Sequence, residues 1–322
     1  MQRSVPYHAV LGALMVLVLS GISLFVGVSD LSVRDVLAGG DEAMIFMVSR
    51  IPRTLAIILT GSSLAIAGLL FQMLARNRFV EPSTAGTVES AGLGLLVTIL
   101  FFPASSVFVK MLIASGFAIA GTLLFLRILK SVPRSSPLLV PLVGLMLGGI
   151  IGSVATFFAY RFDLLQLLGT WTNGEFSGVL KSRYELLWLT AVLAGVAYLA
   201  ADRFTILGLG EDVSVTLGLN FAQVRNLGLV IVSVISAVIV VTVGAIPFLG
   251  LVVPNIASRM VGDNLRASVP WAAALGASIL LVCDMIGRVI RYPYEVPIGT
   301  VFGVVGSALF LYLLLGKRSH AA

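Results

Sequence analysis

Runs of roughly twenty apolar residues recur along this chain, separated by short stretches that hold most of its polar and charged positions. That length lets a helix cross the hydrocarbon core of a bilayer. Ten such segments are predicted, at residues 8–27, 54–74, 86–102, 108–128, 138–160, 184–201, 226–244, 246–261, 269–287 and 297–315. The third, eighth and tenth have soft boundaries. The expected fold class is an all-α polytopic membrane protein, with one transmembrane domain over 1–322. Only one arginine precedes the first segment, and no clear small-residue cleavage site follows it, so it reads as a retained span rather than a signal peptide.

One segment has an unusual entrance. The stretch "VSRIPRTLAIILTGSSLAIAGLLFQML" (48–74) begins with Arg50 and Arg53, with Pro52 between them where a helix first turn tolerates it. Cations at a helix start oppose the helix dipole. An even number of spans puts both termini on one side. Counting lysine and arginine then places the termini inside, because the inside segments carry the larger share of the 21 basic residues. That topology sets Arg50 and Arg53 outside, against the charge rule as well as the dipole. Two readings stand: the arginines snorkel to lipid headgroups, or they form a docking site for an acidic partner outside the membrane.

Composition narrows the class. The 322 residues are 58% hydrophobic and 11% charged, with mean hydropathy +1.07. Soluble domains carry about 25% charged residues, so a single soluble core is excluded. The net charge of +6 suits basic loops beside anionic lipid and does not imply nucleic acid. A lone cysteine, Cys283, excludes a disulfide framework and a cysteine-cluster metal site. The two histidines, His8 and His320, lie near the termini, so no histidine metal centre is expected within the membrane. No phosphate-binding G-x-x-x-x-G-K-[ST] loop, H-E-x-x-H or G-x-S-x-G occurs. No cofactor and no catalytic residue are expected.

Within the spans, Gly144, Gly148 and Gly152 form one small-residue stripe, and Gly299, Gly303 and Ser307 another. Such stripes let helices approach closely in lipid and say nothing about cargo. Glu89 and Asp284 are the intramembrane carboxylates, functional candidates by default. Asp284 stands four residues before Arg288, which predicts an i,i+4 ion pair rather than a proton carrier.

The longest inside loop is "DRFTILGLGEDVSVTLGLNFAQVRN" (202–226). Val213, Leu217 and, past a glycine, Phe221 repeat at helical spacing, and Glu211 and Asp212 stand where acids favour a helix start. A short amphipathic helix under the membrane is predicted. It lacks the lysine and arginine typical of lipid-surface helices, so its apolar face suits a protein groove.

Four stretches in the same order resemble the permease subunits of ABC importers for iron–siderophores, haem and cobalamin. They are "RIPRTLAIILTGSSLAIAGLLFQMLARN", "LGLGEDVSVTLGLN", "GAIPFLGLVVPNIASRMVGDNLRASVPWAAALGAS" and "CDMIGRVIRYPYEVPIGTVFGVVGSALFLYLL", spread over residues 50–315. The resemblance implies a ten-helix bundle like the cobalamin-importer permease, used as a dimer of identical or homologous chains with the path between them. It implies two separate ATP-binding subunits and a periplasmic or lipid-anchored binding protein that delivers ferric siderophore. The location implied is the bacterial cytoplasmic (inner) membrane. Arg50, Arg53 and Arg288 match family arginines that pair with binding-protein glutamates. Glu211, Asp212, Leu217 and Gly218 match the segment that couples to the ATPases. Pro254-Asn255 and Asn77-Arg78-Phe79 depart from the common family pattern. The stretches "PNIASRMVGDNLR" and "IRYPYEVPIGT" resemble the branch for catecholate or mixed catecholate siderophores such as petrobactin or vibriobactin. Haem or cobalamin import is the alternative within the family. An ion-coupled secondary transporter is the alternative outside it.

Overall fold

The computed structural model describes residues 5–27, 40–129, 131 and 139–315. The side chain of His8, the tail bearing His320, and most of the connection expected at 127–137 lie outside them. Every described element is helical. The ten apolar segments correspond to α1 (Val5–Phe25), α2 (Ile51–Ala75), α3 (Thr87–Phe101), α4 (Val107–Leu129), α5 (Leu139–Arg161), α7 (Leu187–Leu199), α10 (Phe221–Val243), α11 (Leu249–Val261), α12 (Leu265–Val289) and α13 (Ile298–Leu315). By length and apolarity, five described helices suffice to cross a membrane, or six if α7 and α8 (Ala201–Gly208) form one bent span. The others are shorter apolar helices.

α2 is the central pillar. Its apolar window is 83% buried, against 33% for α4 and 28% for α5. In lipid the hydrophobic effect does not drive helices together, so close van der Waals approach must. Glycines supply it: a methyl group on Gly61 would overlap the Gly276 carbonyl of α12, and one on Gly68 would overlap Gly250 of α11. The stripe on α5 works similarly, with Gly144 against the Thr84 carbonyl and Gly148 beside Gly86 and Glu89. On α13, Gly299 packs on Gly174, whereas Gly303 faces open space.

A buried carboxylate locks the α2–α3 connection to α11. Glu81, 1% exposed, accepts the Phe248 N–H at 2.6 Å, and Ser83 donates its hydroxyl to the same carboxylate oxygen. A carboxyl oxygen at a helix start satisfies an otherwise orphaned N–H group.

Three expectations change. Arg50 and Arg53 do not open a helix. A helical turn at Asp41–Ile45 and a π turn at Phe46–Arg50 run straight into α2, making a continuous apolar helix from Ala43 to Ala75. The dipole penalty therefore does not apply to them. Proline explains the wide turn: Pro52 has no N–H, and its ring crowds the carbonyl four residues back. The Ile51 N–H reaches the Phe46 carbonyl, and the orphaned Val48 carbonyl accepts the Lys181 N–H at 3.0 Å. Second, the segment predicted at 184–201 ends at Leu199, and the chain bends by 67° into α8. Third, the apolar repeat expected to run through Phe221 is broken. α9 (Glu211–Thr216) stops at Gly218, whose φ of +78° lies in the left-handed region, and Phe221 opens α10. α6 (Leu165–Thr172), an eight-residue helix, had no sequence prediction.

Candidate functional site

The arginines set apart by sequence come together at one end of the bundle. Arg53 lies in the first turn of α2, Arg288 near the end of α12, and Arg50 in the π turn. Asp284 joins two of them. Its Oδ1 accepts Arg53 Nη2 at 2.7 Å and Nε at 3.2 Å, while its Oδ2 pairs with Arg288 four residues along the helix. The i,i+4 pair read from spacing is therefore present, and Asp284 is engaged rather than free to carry a proton. Arg288 also donates to the Ser23 carbonyl at 2.9 Å, the Val26 carbonyl at 2.7 Å and the Ser23 hydroxyl at 3.1 Å, stitching α1 to α12. The Val26 carbonyl accepts Arg50 as well.

Glu295, in the connection between α12 and α13, completes the cluster. Both its oxygens accept Arg53 Nη1, at 2.7 and 3.0 Å. Burial is steep across the group: Arg288 and Asp284 are 2% exposed and Arg50 8%, whereas the Glu295 side chain is 25% exposed. The cluster is thus a sealed ionic knot with one accessible member. Sequence reading missed Glu295 and Ser23. The signal available for Glu295 was an acidic residue in a connection otherwise rich in arginine and tyrosine, "RVIRYPYEVP".

The other predicted set lies beyond the far end of α2. Arg76, just after α2, reaches the backbone at Gly210, where α9 begins. Across 25 residues at 1.5 Å per residue, α2 separates the two sets by roughly 35 Å. Ser214 anchors α9: it is fully buried, and its hydroxyl donates to the Gly210 carbonyl at 2.6 Å and the Ile206 carbonyl at 3.0 Å. Its neighbours point away. Glu211, Asp212 and Gly218 are exposed, as are Val213, Val215 and Leu217, the last at 61%. A Cβ on Gly218 would meet nothing within 4 Å. A short, pinned helix thus presents two acids and three large apolar side chains outward. Glu89, in the first turn of α3, lies apart from both sets. It packs beside Gly148 and Gly152 with Oε2 buried and unpartnered.

Residues 14–316 match the model of the FecCD transport family. The chain belongs to that family. Within it, the petrobactin import permease YclN of Bacillus subtilis strain 168 is 46% identical over 309 residues, covering 96% of this chain and 98% of its own. The ferric-anguibactin transport permease FatD of Vibrio anguillarum is 41% identical over 303 residues, covering 94% and 96%. A solved metal-chelate-type ABC transporter chain in an inward-facing conformation superposes with TM-score 0.81 at 24% identity, covering 97% of this chain and 99% of its own, and so shares the fold. For a FecCD chain, the absence of a phosphate loop and the wealth of apolar helices describe a multi-pass transport permease.

Proposed function

We propose that this chain is the permease subunit of an ABC importer that brings ferric siderophore of the catecholate or mixed catecholate class into the cytoplasm. The observation that carries the cargo assignment is the near-full-length identity to permeases named for petrobactin and anguibactin. In this reading one transmembrane domain pairs with a second permease, identical or homologous, in the bacterial cytoplasmic membrane, and a binding protein delivers cargo from outside. Two ATP-binding subunits seat on α9 through Glu211, Asp212, Leu217 and Gly218. The exposed apolar side chains of α9 support that seating, because no described residue covers them. The binding protein docks at the rim of Arg50, Arg53 and Arg288, where Arg53 is the arginine whose partner, Glu295, is accessible enough to exchange. An ion-coupled carrier is disfavoured because Asp284 is held by two arginines.

The test is uptake of radiolabelled ferric petrobactin in a strain deleted for this permease. Restoration by the wild-type gene, with no restoration of cobalamin or haem uptake in matching strains, is the expected outcome. Cobalamin or haem uptake without siderophore uptake would reassign the cargo.

A further inference from the structure

A lateral groove lies between α2, α7 and α12, with a volume of about 330 Å³ and walls that include Ser62, Ile66, Ala191, Ala194, Gly195 and Ala273. The hydroxyls of its two serines are already bonded. The Ser62 hydroxyl donates to the Ile58 carbonyl of its own helix, and neighbouring Ser63 bonds Thr190 at 2.9 Å. The groove therefore offers methyl and methylene surface and no free donor or acceptor on those walls. Gly195 leaves it open, since a Cβ there would meet nothing within 4 Å.

One end of the groove is charged. Tyr198 lines it, and the Arg266 guanidinium lies over the Tyr198 ring at 5.3 Å from its centre. Arg266 opens α12, where Asn264 caps the helix by accepting the Arg266 N–H. A guanidinium at the positive end of a helix dipole calls for an anion. Asp202 supplies one only loosely, at 3.4 Å with both side chains more than half exposed. Arg203, the next residue on α8, is exposed as well. This end of α12 is opposite the Asp284–Arg288 end, so the basic residues sit where a bilayer's polar layer begins.

We infer that this groove is a binding site for an anionic phospholipid, with an acyl chain along α7 and the phosphate at Arg266 and the start of α12. The apolar walls select a hydrocarbon tail and the basic mouth selects net negative charge in the headgroup. A zwitterionic lipid fits the walls equally well, but its headgroup amine opposes the arginines.

The site is tested on the full chain purified in neutral detergent, by thermal unfolding with added phosphatidylglycerol, phosphatidylcholine or glycerol phosphate. Phosphatidylglycerol should raise the unfolding temperature at least twice as much as phosphatidylcholine, and glycerol phosphate should leave it unchanged. Arg266→Gln should erase the difference between the two lipids. Gly195→Leu, whose side chain enters open space, should reduce the response to both. Native mass spectrometry provides a second readout should either variant unfold early: retained phosphatidylglycerol should fall at least tenfold in each. Equal responses to the two lipids in the wild type, or a phosphatidylglycerol preference that survives Arg266→Gln, would overturn the inference. An equal shift with glycerol phosphate would make the site one for free anions and would also overturn it.

Discussion

Asp284 compensates two guanidinium groups that have little contact with water, so its removal should be costly out of proportion to its size. Taking away one partner of a buried ion pair typically costs about 3–5 kcal/mol, because the remaining charge stays buried alone. Asp284→Ala should therefore lower the unfolding temperature of the purified chain sharply, whereas Glu295→Ala, at the accessible edge, should lower it little. Similar, small shifts for both would show that lipid headgroups or water satisfy the arginines instead. Arg288→Lys should also be poorly tolerated. One ammonium cannot reach Asp284, the Ser23 carbonyl and hydroxyl, and the Val26 carbonyl together as the planar fork does. The Asp284–Arg288 pair was legible in the sequence because helical spacing alone brings the two together. The Arg53–Asp284 and Arg53–Glu295 contacts were not, since they join residues more than two hundred positions apart.

α9 is held by its buried serine and otherwise spends its side chains on the outside, which separates its roles cleanly. Leu217→Glu removes an exposed apolar contact without disturbing Ser214, so the fold and membrane insertion should be unchanged. Siderophore uptake should fall at least tenfold, and ATP turnover by the assembled importer should lose its response to loaded binding protein. Gly218→Trp should do the same, with an added cost of about 1–2 kcal/mol for a side chain at positive φ. Normal uptake in both variants would remove α9 from the ATPase interface. The acidic start of this helix and its apolar residues were legible from charge and period, but its length was not. The Leu217–Phe221 repeat looks continuous in one dimension, while the left-handed turn at Gly218 divides it into two elements. The entrance to α2 misled for a related reason. Pro52 between two arginines resembles a helix start, but the chain instead widens by one residue and continues.

The bundle as a whole sets an ionic knot at one end of α2 and an outward-facing apolar helix beyond the other, and this arrangement determines how docking should be tested. Reversing the charges of Arg50, Arg53 and Arg288 would bury acids against Asp284 and break the α1–α12 stitching, so lost binding would report damage to the rim. Glu295 allows a cleaner test. In the isolated chain it holds Arg53 with both oxygens, in the way an incoming carboxylate from a binding protein would. If docking exchanges one carboxylate for the other, Glu295 competes with the partner. Glu295→Gln should then tighten binding of the importer's own binding protein, by up to about fivefold for a partly exposed pair worth ~1 kcal/mol or less. The gain should shrink as salt rises, because exposed charges are screened. Loss of a negative charge anywhere on the rim would also favour an acidic partner, so the deciding comparison is made in an Arg53→Gln background. There, Glu295→Gln should no longer tighten binding, because the guanidinium that Glu295 holds, and for which an incoming acid would compete, is gone. Affinities measured in nanodiscs for the two single variants and the double variant complete the cycle. An equal gain with and without Arg53 would reduce Glu295 to a generally placed charge. Weaker binding in Glu295→Gln would instead make Glu295 part of the docking surface.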